Sequence, residues 1–120
     1  QGLLERERYV RALDAFLEDW DVLICPVAAT PAIGHIPHLS NVIVAGQEIN
    51  YFECGTYYCM PFNLTGHPVV VIPAGYADDG LPIGIQIVGR RWDEIRLLAH
   101  ARAIDSVVSA YRQPPGYEAE

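Results

Sequence analysis

The residues here that could do chemistry are few. Cys59 and His67 are a thiol and an imidazole eight positions apart, the pairing a cysteine nucleophile needs. Only closeness in sequence argues for it. His35 and His38 are three apart, a spacing that would suit two metal ligands on one helix turn. Pro37 lies between them and argues against that helix, and no further ligand pattern is near. No metal site is expected. Serine-based hydrolysis needs an activated serine, commonly on a tight glycine turn. The chain has three serines, Ser40, Ser106 and Ser109, and no Gly-x-Ser-x-Gly. No phosphate loop or dinucleotide fingerprint is present. Asp78 and Asp79 read as turn residues. The stretch Pro61–Gly75, PFNLTGHPVVVIPAG, sets Asn63, Thr65 and His67 at the mouth of an apolar run. It therefore poses the question of whether it carries chemistry or frames it.

The elements that must position these groups follow from periodicity. Val10, Leu13, Leu17 and Trp20 form one apolar stripe and predict a helix over 1–20. Its charged residues, Asp14 included, read as a solvated face, with Glu7 and Arg11 paired at i, i+4. Residues 21–26 read as a strand covered on both faces. Residues 27–50 read as a long loop, and loops of this length tend to be functional or disordered. A second helix is expected over 51–65. It places Phe52, Gly55, Thr56, Cys59 and Asn63 on one face of small and polar groups. Such a face suits a cavity wall, and it equally suits a helix packed at close range. Strands at 69–73 and 82–88, joined by Ala77-Asp78-Asp79-Gly80, read as an antiparallel hairpin with Gly80 at positive φ. Gly84 leaves room for a close neighbour. A last helix over 93–112 carries Leu97, Ala101, Ile104, Val108 and Tyr111 as its buried stripe. Asp93 is its N-cap, with a staple between Trp92 and Leu97. The tail Glu118–Glu120 is expected to be loose.

Composition narrows the function. The net charge of −7 argues against a nucleic-acid partner, which would want a basic face, and disfavours anionic lipid. No apolar run approaches the ~18–20 residues of a membrane span. Three cysteines without Cys-x-x-Cys fit reduced thiols in a core and a cytoplasmic protein. The chain has no lysine and starts at Gln1, next to what reads as a running helix, as a piece of a longer polypeptide could.

Four segments together carry a resemblance. They are Phe62-Asn63-Leu64-Thr65-Gly66-His67-Pro68 running on to Pro73-Ala74-Gly75; Gly80-Leu81-Pro82-Ile83-Gly84-Ile85-Gln86-Ile87-Val88-Gly89; Asp21–Pro26 with Thr30-Pro31; and Glu94–Ala99. In this order and spacing they resemble the C-terminal part of amidase signature enzymes. The resemblance spans most of the chain. It implies an α/β fold, a mixed sheet with an antiparallel hairpin covered by helices, with residues 1–120 as its C-terminal segment. It implies hydrolysis of a small-molecule amide by a Ser–cis-Ser–Lys triad, with no metal or cofactor. No residue here corresponds to that triad, so this chain alone is expected to be inactive. The remainder of the amidase polypeptide is the implied partner, with a homo-oligomer compatible. Phe52, Gly55, Thr56 and Cys59 are the implied substrate-binding residues, with Thr56 the polar contact and a neutral substrate favoured. The alternative is a non-catalytic module that keeps the fold. A fragment of this kind should show an unpaired sheet edge and exposed apolar surface.

Overall fold

A computed structural model describes residues 2–36 and 40–117. His38 and the tail Glu118–Glu120 lie outside them. The elements are α1 (Gly2–Phe16), β1 (Leu23–Pro26), β2 (Val42–Val44), β3 (Gln47–Ile49), α2 (Tyr51–Thr56), α3 (Met60–Thr65), β4 (Val69–Tyr76), β5 (Pro82–Val88) and α4 (Glu94–Val108).

β5 is the centre of a three-stranded antiparallel sheet ordered β1-β5-β4. Cys25, Gln86 and Val71 lie abreast, as do Ile24, Ile87 and Val70. The expected hairpin is present. Its turn closes through Ala77 N–H to Leu81 O (2.8 Å), with Gly80 at φ +81°. β4 runs past Pro73 to Tyr76, beyond the expected end of the strand, with a bulge between Pro73 and Gly75. An edge strand tolerates a proline because its outward N–H has no ladder partner to lose.

One face of the sheet is covered by α4. Ile72, Ile87, Leu97 and Ala101 form the buried cluster, flanked by Val22, Val70, Ile85 and Ile104. Gly89 permits this approach: a Cβ there would come within 3.0 Å of the Leu97 Cβ. α4 stops at Val108, earlier than the expected 112. Ser109 turns left-handed (φ +46°) and donates its N–H to Asp105 O (2.7 Å). Tyr111 is therefore exposed and leaves the predicted stripe. Asp93 holds the N-cap position without a side-chain cap bond. Trp92 sits at φ +66° and is 87% exposed, so no staple forms on buried Leu97.

The helix expected over 1–20 ends at Phe16. Val10 and Leu17 are buried, while Trp20 lies beyond the helix, exposed and stacked on Phe16. The helix expected over 51–65 is two helices. Pro61 has no N–H to donate to the carbonyl four residues back, so the chain breaks at 57–59 and restarts with Pro61 in the first turn of α3. The expected loop over 27–50 holds a small hairpin, β2–β3, closed by Ala45 and Gly46, both at positive φ. Both outer strands of the main sheet, β1 and β4, have an unpaired edge among the described residues. Leu3, Leu4 and Tyr9 on α1 and Ile95, Leu98 and Val107 on α4 are exposed. No helix among the described residues is long and apolar enough to cross a membrane.

Candidate functional site

A cavity of about 700 Å³ opens where the 26–33 segment, α2 and the β4–β5 hairpin meet. Val71 and Gly84 contribute from the sheet, and Val27 to Ile33 form one wall. Gly84 keeps the floor low: a Cβ there would lie 3.2 Å from Val71 Cγ1 and 3.5 Å from Val27 Cγ2. The room expected at Gly84 is thus used.

Three of the four residues expected to bind substrate line this cavity: Phe52, Gly55 and Thr56, all on α2. Phe52 is 63% exposed at the mouth. Thr56 spends its hydroxyl proton on Phe52 O (2.7 Å), so toward the cavity it offers lone pairs. Cys59 does not line it. The break before α3 turns Cys59 aside, and its Sγ–H donates to Val27 O (3.3 Å). Asn63, also expected on this face, is exposed and makes no side-chain hydrogen bond among the described residues.

The two walls are stitched together from behind. Ala29 N–H donates to Cys54 O (3.1 Å), and Thr30 Oγ1 lies 3.6 Å from Cys54 Sγ. Gln86, 1% exposed, gives both hydrogens of its amide away, to Pro26 O (2.7 Å) and Tyr58 O (2.8 Å). Sequence reasoning gave Gln86 no role. The available signal was a lone carboxamide inside the apolar run Ile83–Val88. Beside it, burial pushes the Cys25 thiol up, partly offset by a hydrogen bond with Gln86.

The polar residues of the 61–75 stretch answer to structure. Thr65 Oγ1 is within bonding distance of Pro61 O (3.0 Å) and of His67 Nδ1 (3.0 Å). His67, whose side chain is fully buried, reaches Asp14 Oδ1 through Nε2 (3.1 Å). Arg91 grips both oxygens of Asp14, at 3.1 and 2.5 Å. Asp14, partly exposed on α1, is thus also a partner in this network. Its carboxyl is held below the usual range, chiefly by the Arg91 hydrogen bond. Burial pushes the His67 imidazole down, against the pull of Asp14. The neutral ring with its proton on Nε2 satisfies Asp14, and the one hydroxyl proton of Thr65 serves either Pro61 O or the bare Nδ1. Cys59 and His67 are committed to different partners, so no thiol–imidazole pair forms. Two more arginines cap helix ends: Arg90 Nε donates to Leu17 O (2.8 Å) and Arg6 Nε to Leu64 O (2.7 Å).

His35 is exposed, and among the described residues no group of three or more His, Cys, Asp or Glu could hold a metal. The cavity lining contains no acidic, basic or imidazole side chain. The arrangement can enclose a neutral, largely apolar group, and it offers no nucleophile with a base.

Comparison with known proteins agrees on the lineage. A putative amidase AmiB2 of Mycobacterium bovis is 36% identical over 108 residues, 85% of this chain and 22% of that protein. A glutamyl-tRNA(Gln) amidotransferase subunit of Lactiplantibacillus plantarum is 32% identical over 110 residues, 92% of this chain and 21% of that protein. Among solved structures, an amidase crystal structure superposes with a TM-score of 0.78 at 26% identity, over 88% of this chain and 24% of the other. The chain thus spans between a fifth and a quarter of the length of these relatives. The α/β fold, with its antiparallel hairpin under helices, is the corresponding portion of the amidase fold, and among the described residues the paired strands run antiparallel. With the Amidase family profile matching residues 2–98, the chain belongs to the amidase signature family.

Proposed function

We propose that this chain is the C-terminal portion of an amidase that cleaves carbon–nitrogen bonds of small neutral amides, with the serine nucleophile on a part of the enzyme outside these residues. The observation that carries this reading is the composition of the cavity. It has a built shape, an uncharged lining and no catalytic pair. Such a wall can seat an acyl or amine group while another part of the protein supplies the attack. In the reaction, a serine adds to the amide carbonyl, backbone N–H groups hold the oxyanion, and the amine leaves before water releases the acid. Phe52, Gly55 and Thr56 are the substrate-facing residues contributed from here. The absence of charge in the lining disfavours ammonium or carboxylate groups at this wall, because an ion there would be desolvated without a partner.

The exposed apolar faces of α1 and α4 and the open edges of β1 and β4 fit surfaces that the remainder of the enzyme covers. Three free thiols fit a cytoplasmic protein.

The test is amine or ammonia release from neutral and charged amides by the product of the complete reading frame and by the 120-residue chain. The complete product is expected to hydrolyse neutral amides, and the chain alone none. In the complete enzyme, Phe52→Ala should raise KM more than it lowers kcat. A complete product that binds amides without turning them over would favour the non-catalytic module. Turnover by the isolated chain would place the nucleophile inside it and overturn the proposal.

A further inference from the structure

Gln86 is a buried polar residue in the middle strand of an apolar sheet, and none of the roles above requires it to be there. Its carboxamide stands where two separate stretches of backbone converge. One is Pro26, at the root of the wall formed by residues 26–33. The other is Tyr58, in the break between α2 and α3. These stretches carry the two opposite walls of the cavity. They share no strand ladder with each other. Among the described residues, the other polar contacts between them are Ala29 N–H to Cys54 O, Cys59 Sγ–H to Val27 O and the approach of Thr30 to Cys54.

We propose that Gln86 is the positioning residue that fixes the spacing of the two walls, and so the size of the neutral group the cavity admits. An amide nitrogen is suited to this. It presents two donors about 120° apart on one planar group, and a hydroxyl or an indole could hold only one of the two carbonyls. Both acceptors are backbone oxygens, so the distance set is that between main chains and does not depend on neighbouring rotamers. The donors come from β5, whose pairing on both sides makes it the most constrained strand of the sheet. Pro26 is also paired with Ile85 at the end of the β1–β5 ladder, so the Tyr58 side depends most on Gln86; without the carboxamide, both carbonyls lose this donor. They regain one only if the walls part enough to admit water. The role in substrate selection rests on the amidase reading; the spacing of the walls does not.

Two measurements separate these. The first is amide hydrogen exchange in the product of the complete reading frame carrying Gln86→Met, which keeps length and removes both donors. The Ala29 amide, which bridges the walls, is expected to exchange roughly tenfold faster or more, as loss of two buried bonds implies. Amides of the β4–β5 ladder should keep their protection. Equal acceleration at all sites would reduce Gln86 to a residue of general stability, and unchanged exchange at Ala29 would remove the clamp; either overturns the proposal. Should Gln86→Met not fold, Gln86→Asn keeps the carboxamide but sets it one carbon short of its two acceptors. It should speed Ala29 by a smaller factor, and no change there counts against the proposal.

The second measurement is the kinetics of the complete enzyme with neutral amides of increasing bulk. Gln86→Met should shift preference toward larger acyl groups through KM, with kcat on the smallest amide little altered. Gln86→Glu, which faces both carbonyls with acceptors, should do worse than Gln86→Met. A fall in kcat alike for all amides, with KM unchanged, contradicts a spacing role. If the wild-type enzyme hydrolyses no amide, the amidase reading fails, and the exchange experiment still decides whether Gln86 spaces the walls.

Discussion

The two faces of the β1-β5-β4 sheet are held by different physics. Beneath α4, Ile72, Ile87, Leu97 and Ala101 exclude water and make no polar contact. On the other side, the α2–α3 region is tied to β1 and β5 by carbonyls that accept from Gln86, Cys59 and Ala29. Nearby, α1 is tied to the β4 entry through Asp14, His67 and Thr65. Apolar burial is proportional to area and indifferent to direction. Hydrogen bonds from buried groups are modest in net energy but fix distances. The first face stabilises the domain; the second shapes a space inside it.

Leu97→Ala should give the largest effect. It empties a fully packed site and is expected to cost about 2–5 kcal/mol in denaturant unfolding. The cavity walls should keep their relative exchange protection. If they loosen as much as they do in Gln86→Met, the two faces are not held separately. Gln86→Met itself is expected to cost about 1–3 kcal/mol, the range for stranding a buried acceptor.

Acid should act on the polar face first. The folded His67 has its pKa below the ordinary ~6.5, so in the window beneath 6.5 the unfolded chain binds the extra proton. Stability then falls as pH drops through that window. Asp14, held below the usual carboxylate value, adds stability that is present above about pH 3.9 and lost as pH falls through its folded value. Melting temperature followed from about pH 8 to about pH 3 should decline in these two stages. His67→Gln should remove the upper stage and lower the plateau by a few degrees. A single decline near about pH 4 in the wild type would mean that His67 is not a neutral strut.

The smallest effect has the opposite sign. Trp92 is exposed at φ +66°, where a side chain costs ~1–2 kcal/mol. Trp92→Gly removes that strain and adds ~0.4–1 kcal/mol of unfolded-chain entropy. A net stabilisation of under about 1 kcal/mol is expected, with no change on either face of the sheet.

The difference between the faces also decides what could be read in advance. The α4 stripe and the β4–β5 hairpin are local patterns, and their periodicity and turn chemistry placed them to within a few residues. The break at 57–59 had a local signal too, Pro61, which the attractive face through Phe52, Thr56 and Cys59 obscured. That face still brought three of its members to the cavity. The polar stitches had no such signal. Gln86 meets Tyr58 across 28 positions and Pro26 across 60, and Arg91 meets Asp14 across 77. No spacing rule spans such distances. Asp14 looked like any solvated helix acid, and His67 looked like a candidate base.

The order of strands in space has a consequence in time. β4 and β5 are joined by a short turn and can pair as soon as both exist, whereas β1 must wait for a partner that lies far beyond it in the chain. Bringing such distant segments together is slow, because the intervening chain must give up its freedom before any contact repays it. The hairpin is therefore expected to form first and β1 to join it late, bringing Pro26 to Gln86. Pulsed hydrogen exchange during refolding should then protect the β4–β5 amides before those of β1 and Ala29, and simultaneous protection would show that the cavity is not assembled last.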